Sequence, residues 1–242
     1  QAKKAGIKPI IGCEIYVAVG SRFEKKTRSD GGWGNNHLIL LAQNFTGYKN
    51  LMKLVTAGYL EGFYYRPRID MDLLREYSEG LICMSACLKG VVPEKMLKGD
   101  YEGARKEALL FSEIFQDRYY LEIQNHGIPE EEQNLKNMKK LSQDLNLPLV
   151  CTNDAHYAKK EHWEAHDIHI CLGTGKERSD PNRLRYATPE FYFKTQDEMH
   201  KLFKEFPGAI ENTRKIADSI DITLPIGAVS YTHLRAHETS DY

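Results

Sequence analysis

The 242-residue sequence predicts an α/β fold built on a mainly parallel sheet, most of a (β/α) barrel. Three observations predict it. Short runs rich in β-formers alternate with longer segments whose apolar residues recur at helical spacing. The runs begin near residues 8, 37, 80, 119 and 148, intervals that suit strand–helix–strand crossovers. No Gly-rich dinucleotide loop follows any run, which disfavours the alternative, an open doubly wound sheet.

Each element has its own signal. Residues 8–17 read as a buried strand, and 20–36, polar and Gly-rich, as a loop. Residues 37–42 are a second apolar run. From 47 to 60, Tyr48, Leu51, Met52, Val55 and Tyr59 fall on one helical face. Asp70 is placed to cap a short helix reaching Tyr77. Residues 80–86 form a third strand. Residues 100–115 form an amphipathic helix through Ala104, Ala108, Leu109, Phe111 and Ile114, and 118–124 a fourth strand. Pro129 opens a helix running to 145 with an acidic first turn. Residues 147–152 are a fifth strand and 160–172 are helical. Thr195 and Glu198 make a capping box for a helix to 206, and 211–220 is the last helix.

Bulk composition narrows the function. Lys and Arg total 33 and Asp and Glu 34, so any nucleic-acid surface must be local rather than global. No apolar run approaches the roughly 20 residues of a membrane span. Five cysteines, at 13, 83, 87, 151 and 171, are an odd number without regular spacing; reduced thiols and a cytoplasmic location are expected. Residues 1–6 resemble the end of a helix with its Gly cap, so the chain is expected to begin inside a domain. Residues 228–242 read as translated sequencing-adapter read-through rather than native sequence, which leaves one domain over 1–227. His233 and His237 are therefore not counted as ligands, and the charge balance survives their removal.

The fifth run ends on Asp154 and His156. In an extended strand residues two apart point to one side, so a carboxylate and an imidazole there can share one ion. Oxygen plus nitrogen suits Zn²⁺ or Mn²⁺. The plainer alternative is a strand ending in an Asn-Asp turn. In barrels of this kind the chemistry sits at the C-terminal ends of the strands. Those ends also offer Glu14, Cys87, and Asn125 with His126. His37 breaks the pattern by standing at the start of its run; either that strand begins earlier or His37 enters from a loop. Glu14 has a solvent-facing alternative and Cys87 that of a small buried apolar residue, while Cys83 reads as core. His162, His166 and His169 share a helical face, for which a surface or core-edge role is favoured.

At these residues the chain resembles a known family. The motifs are Gly6-Ile7-Lys8-Pro9-Ile10-Ile11-Gly12-Cys13-Glu14, His37-Leu38-Ile39-Leu40-Leu41-Ala42, Gly47-Tyr48-Lys49-Asn50-Leu51 and Glu61-Gly62-Phe63-Tyr64-Tyr65 with Pro67-Arg68-Ile69-Asp70. Gly80-Leu81-Ile82 with Ser85 and Cys87, Thr152-Asn153-Asp154 with His156-Tyr157, and Ala165-His166-Asp167 complete them. Together they resemble the polymerase and histidinol phosphatase (PHP) domain of bacterial DNA polymerase III alpha subunits, the C-family replicative polymerases.

The resemblance implies a distorted (β/α)7 TIM-like barrel whose N-terminal strands, with the family's first His-x-His pair and Asp-His segment, precede Gln1. It implies that Glu14, His37, Cys87, Asp154 and His156 are metal ligands, for up to three ions of Zn²⁺ or Mn²⁺, with Mg²⁺ a further option. The reaction it implies is metal-dependent 3′→5′ exonucleolysis, with DNA, a sliding clamp and a proofreading subunit as partners of the full-length protein. His126 is a candidate phosphate or substrate contact, with a surface position as the alternative, and so are Arg66, Arg68, Arg178, Arg183 and Arg185, for each of which a solvated loop is the favoured reading. Two alternatives stand beside this: a metal-free structural platform for the polymerase, and a stand-alone PHP phosphoesterase.

Overall fold

The computed structural model describes residues 1–26 and 34–225. The expected domain end at Gly227 and the adapter-like residues 228–242 lie outside the described residues.

Among the described residues six strands form one mixed sheet: β1 (Gly12–Ala18), β2 (Asn35–Ala42), β3 (Arg68–Ile69), β4 (Leu81–Met84), β5 (Tyr119–Ile123) and β6 (Leu149–Cys151), in the order β3-β1-β2-β4-β5-β6. The helices are α1 (Phe45–Leu60), α2 (Met71–Glu76), α3 (Val91–Leu97), α4 (Tyr101–Phe115), α5 (Pro129–Leu145), α6 (Trp163–Thr174), α7 (Gln196–Leu202) and α8 (Ala209–Ser219). The α/β class is as expected. The sheet differs from the expected parallel arrangement in one strand: β2 pairs antiparallel with both β1 and β4, while the β1–β3, β4–β5 and β5–β6 pairs are parallel. The first strand starts at Gly12 rather than residue 8. Pro9, which has no N–H to give a ladder, lies in the excluded part. β3 has only two residues, and α3 follows Gly90, which offers no side-chain cap to mark its start.

Local chemistry sets most helix ends. Asn44 caps α1 by accepting the Gly47 N–H, Asp70 caps α2 by accepting the Leu73 N–H, and Asp100 caps α4 by accepting the Gly103 N–H. Pro129 opens α5 above three glutamates in its first turn, and Asn146, at φ +52°, closes it. Thr195 and Glu198 form the capping box of α7. Gly47, in the first turn of α1, packs so closely on Gly80 that an added Cβ would sit 1.7 Å from the Gly80 carbonyl oxygen.

The two sheet faces are unlike. Ile15, Val17, Leu38, Leu40, Leu81 and Cys83 point into the main core with Leu54 of α1, Leu74 of α2, and Phe111 and Phe115 of α4. Burying one such side chain stabilises the fold by roughly 1.5–3 kcal/mol. The opposite face carries a smaller cluster of Ile82, Met84 and Val150, covered by Ile216 of α8 and by Ile220. Beyond that cluster the same face turns polar. Among the described residues no helix is long and apolar enough to cross a membrane.

Candidate metal centre

In the β1–β2 ladder Tyr16 lies opposite His37 and Glu14 opposite Ile39. Residues two apart, or directly opposite, share a face. Glu14, Tyr16 and His37 therefore stand together on the side away from the main core. His37 Nδ1 is 3.1 Å from Glu14 Oε1 and 3.5 Å from Cys87 Sγ. Strand β2 begins at Asn35, earlier than the apolar run, and because it is antiparallel its first residues lie beside the C-terminal ends of its neighbours. That direction brings His37 to the rim from the start of its strand.

Cys83 is fully buried in the main core, and regular alternation would send Cys87 to the same side. β4 ends at Met84, however, and Ala86 adopts φ +63°. This left-handed step re-aims the chain and delivers Cys87 to His37.

The second group follows β6. That strand stops at Cys151, so Asp154 and His156 meet through a turn rather than through strand pleating. Asp154 Oδ1 is 3.5 Å from His156 Nε2. Asp154 itself sits at φ +40°, a conformation that costs a non-Gly residue of order 1–3 kcal/mol. The His156 N–H donates to the Phe191 carbonyl at 2.8 Å, and the Tyr186 hydroxyl lies 3.1 Å from His156 Nε2. The His166 ring is 5.8 Å from that of His156 and 5.3 Å from that of Tyr186.

The two groups feel one another. The His156 hydrogen bond holds the Asp154 carboxyl below its ordinary value against the effect of burial, and the charges of His126 and His37 act in the same direction. Burial lowers His37, and the charges of Lys89 and Arg66 add to that while Glu14 and Asp154 oppose it. Burial pushes the Cys87 thiol up to about 11, with Glu14 and Asp154 contributing. Burial also raises Tyr186, helped by Asp154, Cys87 and Glu14.

The donor chemistry suits a divalent metal. Contacts of 3.1 to 3.5 Å are close to the edge of roughly 3.3–3.8 Å that bonds of about 2.0–2.3 Å impose on a tetrahedron. Among the described residues, no three His, Cys, Asp or Glu side chains close around a single point. The metal-type donors stand instead in two clusters, Glu14–His37–Cys87 and Asp154–His156.

Three of the candidate substrate contacts are buried and hydrogen-bonded internally. His126 is 1% exposed and both ring nitrogens face acceptors: Nδ1 lies 2.7 Å from Glu131 Oε1 and Nε2 lies 2.9 Å from the Asn153 carbonyl. It has no nitrogen left for a phosphate. Arg68 is equally buried, and its guanidinium donates to the carbonyls of Gly62, Arg22 and Glu24. It tethers two loops. Arg183 is buried too, with both terminal nitrogens on Asp167 at 2.6 and 2.8 Å. Arg66, by contrast, is exposed beside the site, its guanidinium 5.8 Å from the centre of the Tyr16 ring. Sequence reasoning missed Tyr186 and Lys89, which lie in no periodic pattern, and favoured a surface or core-edge role for His166.

A family model described as "PHP domain" matches residues 1–126. The chain belongs to the PHP domain family. Among curated proteins this PHP chain is 51% identical over 228 residues to the DNA polymerase III subunit alpha of Borreliella burgdorferi, covering 93% of the chain and 20% of that protein. It is 46% identical to the protein of the same name from Treponema pallidum (91% and 19% covered) and 42% identical to that from Thermus aquaticus (94% and 19%). The PHP chain thus spans about a fifth of the length of the curated relatives it matches.

Proposed function

We propose that this PHP chain is part of a replicative DNA polymerase III alpha subunit and carries a metal-dependent phosphodiesterase site that removes nucleotides in the 3′→5′ direction. Glu14, His37, Cys87, Asp154 and His156 are its ligands. The reading rests on one observation: Glu14 Oε1 and Cys87 Sγ, from distant parts of the chain, lie 3.1 and 3.5 Å from His37 Nδ1, with Asp154 close enough for its charge to act on His37 and Cys87.

When bound, Zn²⁺, Mn²⁺ or Mg²⁺ would supply a water acidified towards neutral pH and neutralise the departing 3′ oxygen. The chain's own groups do the rest. The Tyr186 hydroxyl and ring flank the His156 ring, Tyr16 braces His37, and Arg66, exposed beside His37, meets a substrate phosphate. DNA is the substrate, and the sliding clamp and proofreading subunit are reached through the remainder of the full-length protein in the cytoplasm.

The test uses the protein expressed from its complete reading frame. Metal-dependent release of nucleotides from a 3′-labelled DNA strand is expected for wild type and should disappear in an Asp154→Asn, His156→Ala double variant that still polymerises. A wild-type protein that contains no metal and releases no nucleotide would sink the reading and leave a structural platform.

A further inference from the structure

We propose that His126 and Glu131 form a positioning pair that locks the Asn153–Asp154 turn and so aims the Asp154 carboxylate; this rests on the metal-site reading of Asp154 above.

The hydrogen-bond accounting is restrictive. A carbonyl oxygen only accepts, so His126 Nε2, 2.9 Å from the Asn153 oxygen, must carry its hydrogen. The other ring nitrogen faces Glu131 Oε1 at 2.7 Å, while Glu131 Oε2 accepts the backbone N–H of the same histidine at 2.6 Å. One carboxylate therefore grips both the ring and the main chain of His126, and the ring cannot turn without breaking a bond in a site closed to water. Phe191 stacks on the imidazole at 4.0 Å, nearly parallel, and Thr188 Oγ1 donates to the His126 carbonyl at 2.6 Å.

The far end of the relay is Asn153, which is held at three atoms. Its carbonyl takes His126, its Nδ2 donates to the Tyr192 carbonyl at 2.9 Å, and its Oδ1 accepts from Lys194 Nζ at 3.4 Å. Asp154 comes next, in its left-handed conformation. A backbone held away from its own preference needs fixed neighbours on the chain. Glu131 lies in the first turn of α5, so the relay ties the turn to a 17-residue helix. Groups of this kind, which hold a ligand without touching the metal, typically change affinity 10- to 100-fold when removed.

The experiment titrates Mn²⁺ into the protein from its complete reading frame and follows Tm in parallel. The variants are His126→Phe, which keeps the stacking surface but loses both donors, Glu131→Gln, and Leu135→Ala, a buried residue of α5 outside the relay. Mn²⁺ affinity is expected to fall about 10- to 100-fold in the first two and to stay within about twofold of wild type in Leu135→Ala at a comparable loss of Tm. Unchanged affinity in both relay variants, or an affinity that simply tracks Tm in all three, overturns the positioning role and leaves the metal site standing. A wild type that takes up no Mn²⁺ overturns the metal-site reading itself.

Discussion

Tyr16 lies directly opposite His37 across the antiparallel β1–β2 pair, with the two rings edge to face at 5.1 Å. In a parallel pair the first residues of β2 would sit at the far end of the sheet from the rim. Reversing one strand puts an imidazole from a strand's start among groups from strand ends, and a tyrosine supports its flank.

The thiol beside that imidazole should be unreactive while no metal is bound. With its value near 11 rather than the ordinary 9.0, the thiolate fraction of Cys87 at pH 8 is about a hundredfold lower than that of an exposed cysteine. Timed iodoacetamide labelling followed by mass spectrometry is expected to show Cys87 lagging by about that factor. Labelling at the free-cysteine rate would contradict the burial described for it.

Arg66 and Arg68, two residues apart, are expected to behave oppositely. Arg66→Gln should leave stability within about 0.5 kcal/mol of wild type, as for other exposed substitutions. It should also lower the slope of log affinity for single-stranded DNA against log salt by about 0.7. Arg68→Met removes the donor to three backbone carbonyls and should cost about 3 kcal/mol in urea unfolding with no change in that slope. Equal effects of the two on DNA binding would show that the buried guanidinium had been misassigned.

Asp70 combines a helix cap with an ion pair. It accepts the Leu73 N–H at 3.2 Å, the Arg22 N–H at 3.0 Å and the Arg22 guanidinium at 3.1 Å. Burial works to raise its carboxyl, but these backbone donors and the Arg22 charge outweigh it and hold the value below 3.8. Asp70→Asn, which keeps a good cap, should cost about 1–3 kcal/mol, and Asp70→Ala about 1 kcal/mol more. Because the folded value is the lower one, wild type's advantage over Asp70→Asn is complete above pH 3.8. It is lost as pH falls from there through the folded-state value. Denaturation midpoints across that range read it directly.

Gly47→Ala reverses the sign that helix propensity alone would give. Alanine favours a helix by up to about 1 kcal/mol over glycine, yet the new Cβ would fall 1.7 Å from the Gly80 carbonyl. Backbone must move on one side or the other, and a net loss of about 2–3 kcal/mol is expected from thermal unfolding. An equal or higher Tm would show that the α1–β4 approach is looser than described.

Much of this was legible in the chain because the signals were local. Pro129, Asp70 and the Thr195–Glu198 box act within a turn or two of themselves, and the helices they open begin where those signals placed them, although α7 ends at Leu202 rather than at 206. The candidate ligands were legible as residue types at run ends. Their partners were not, since nothing in the neighbourhood of His126 or Arg68 says that a distant carbonyl will occupy them.

The sequence by itself determined the α/β class, the starts of the capped helices and which residue types stand at the ends of the apolar runs. It did so because alternation and capping are properties of a few adjacent residues. Only the tertiary structure decided the direction of β2, the left-handed step at Ala86 that turns Cys87 towards His37, and the burial of His126. Each of these depends on hydrogen bonds and contacts between segments dozens of residues apart, where chain order carries no geometric information.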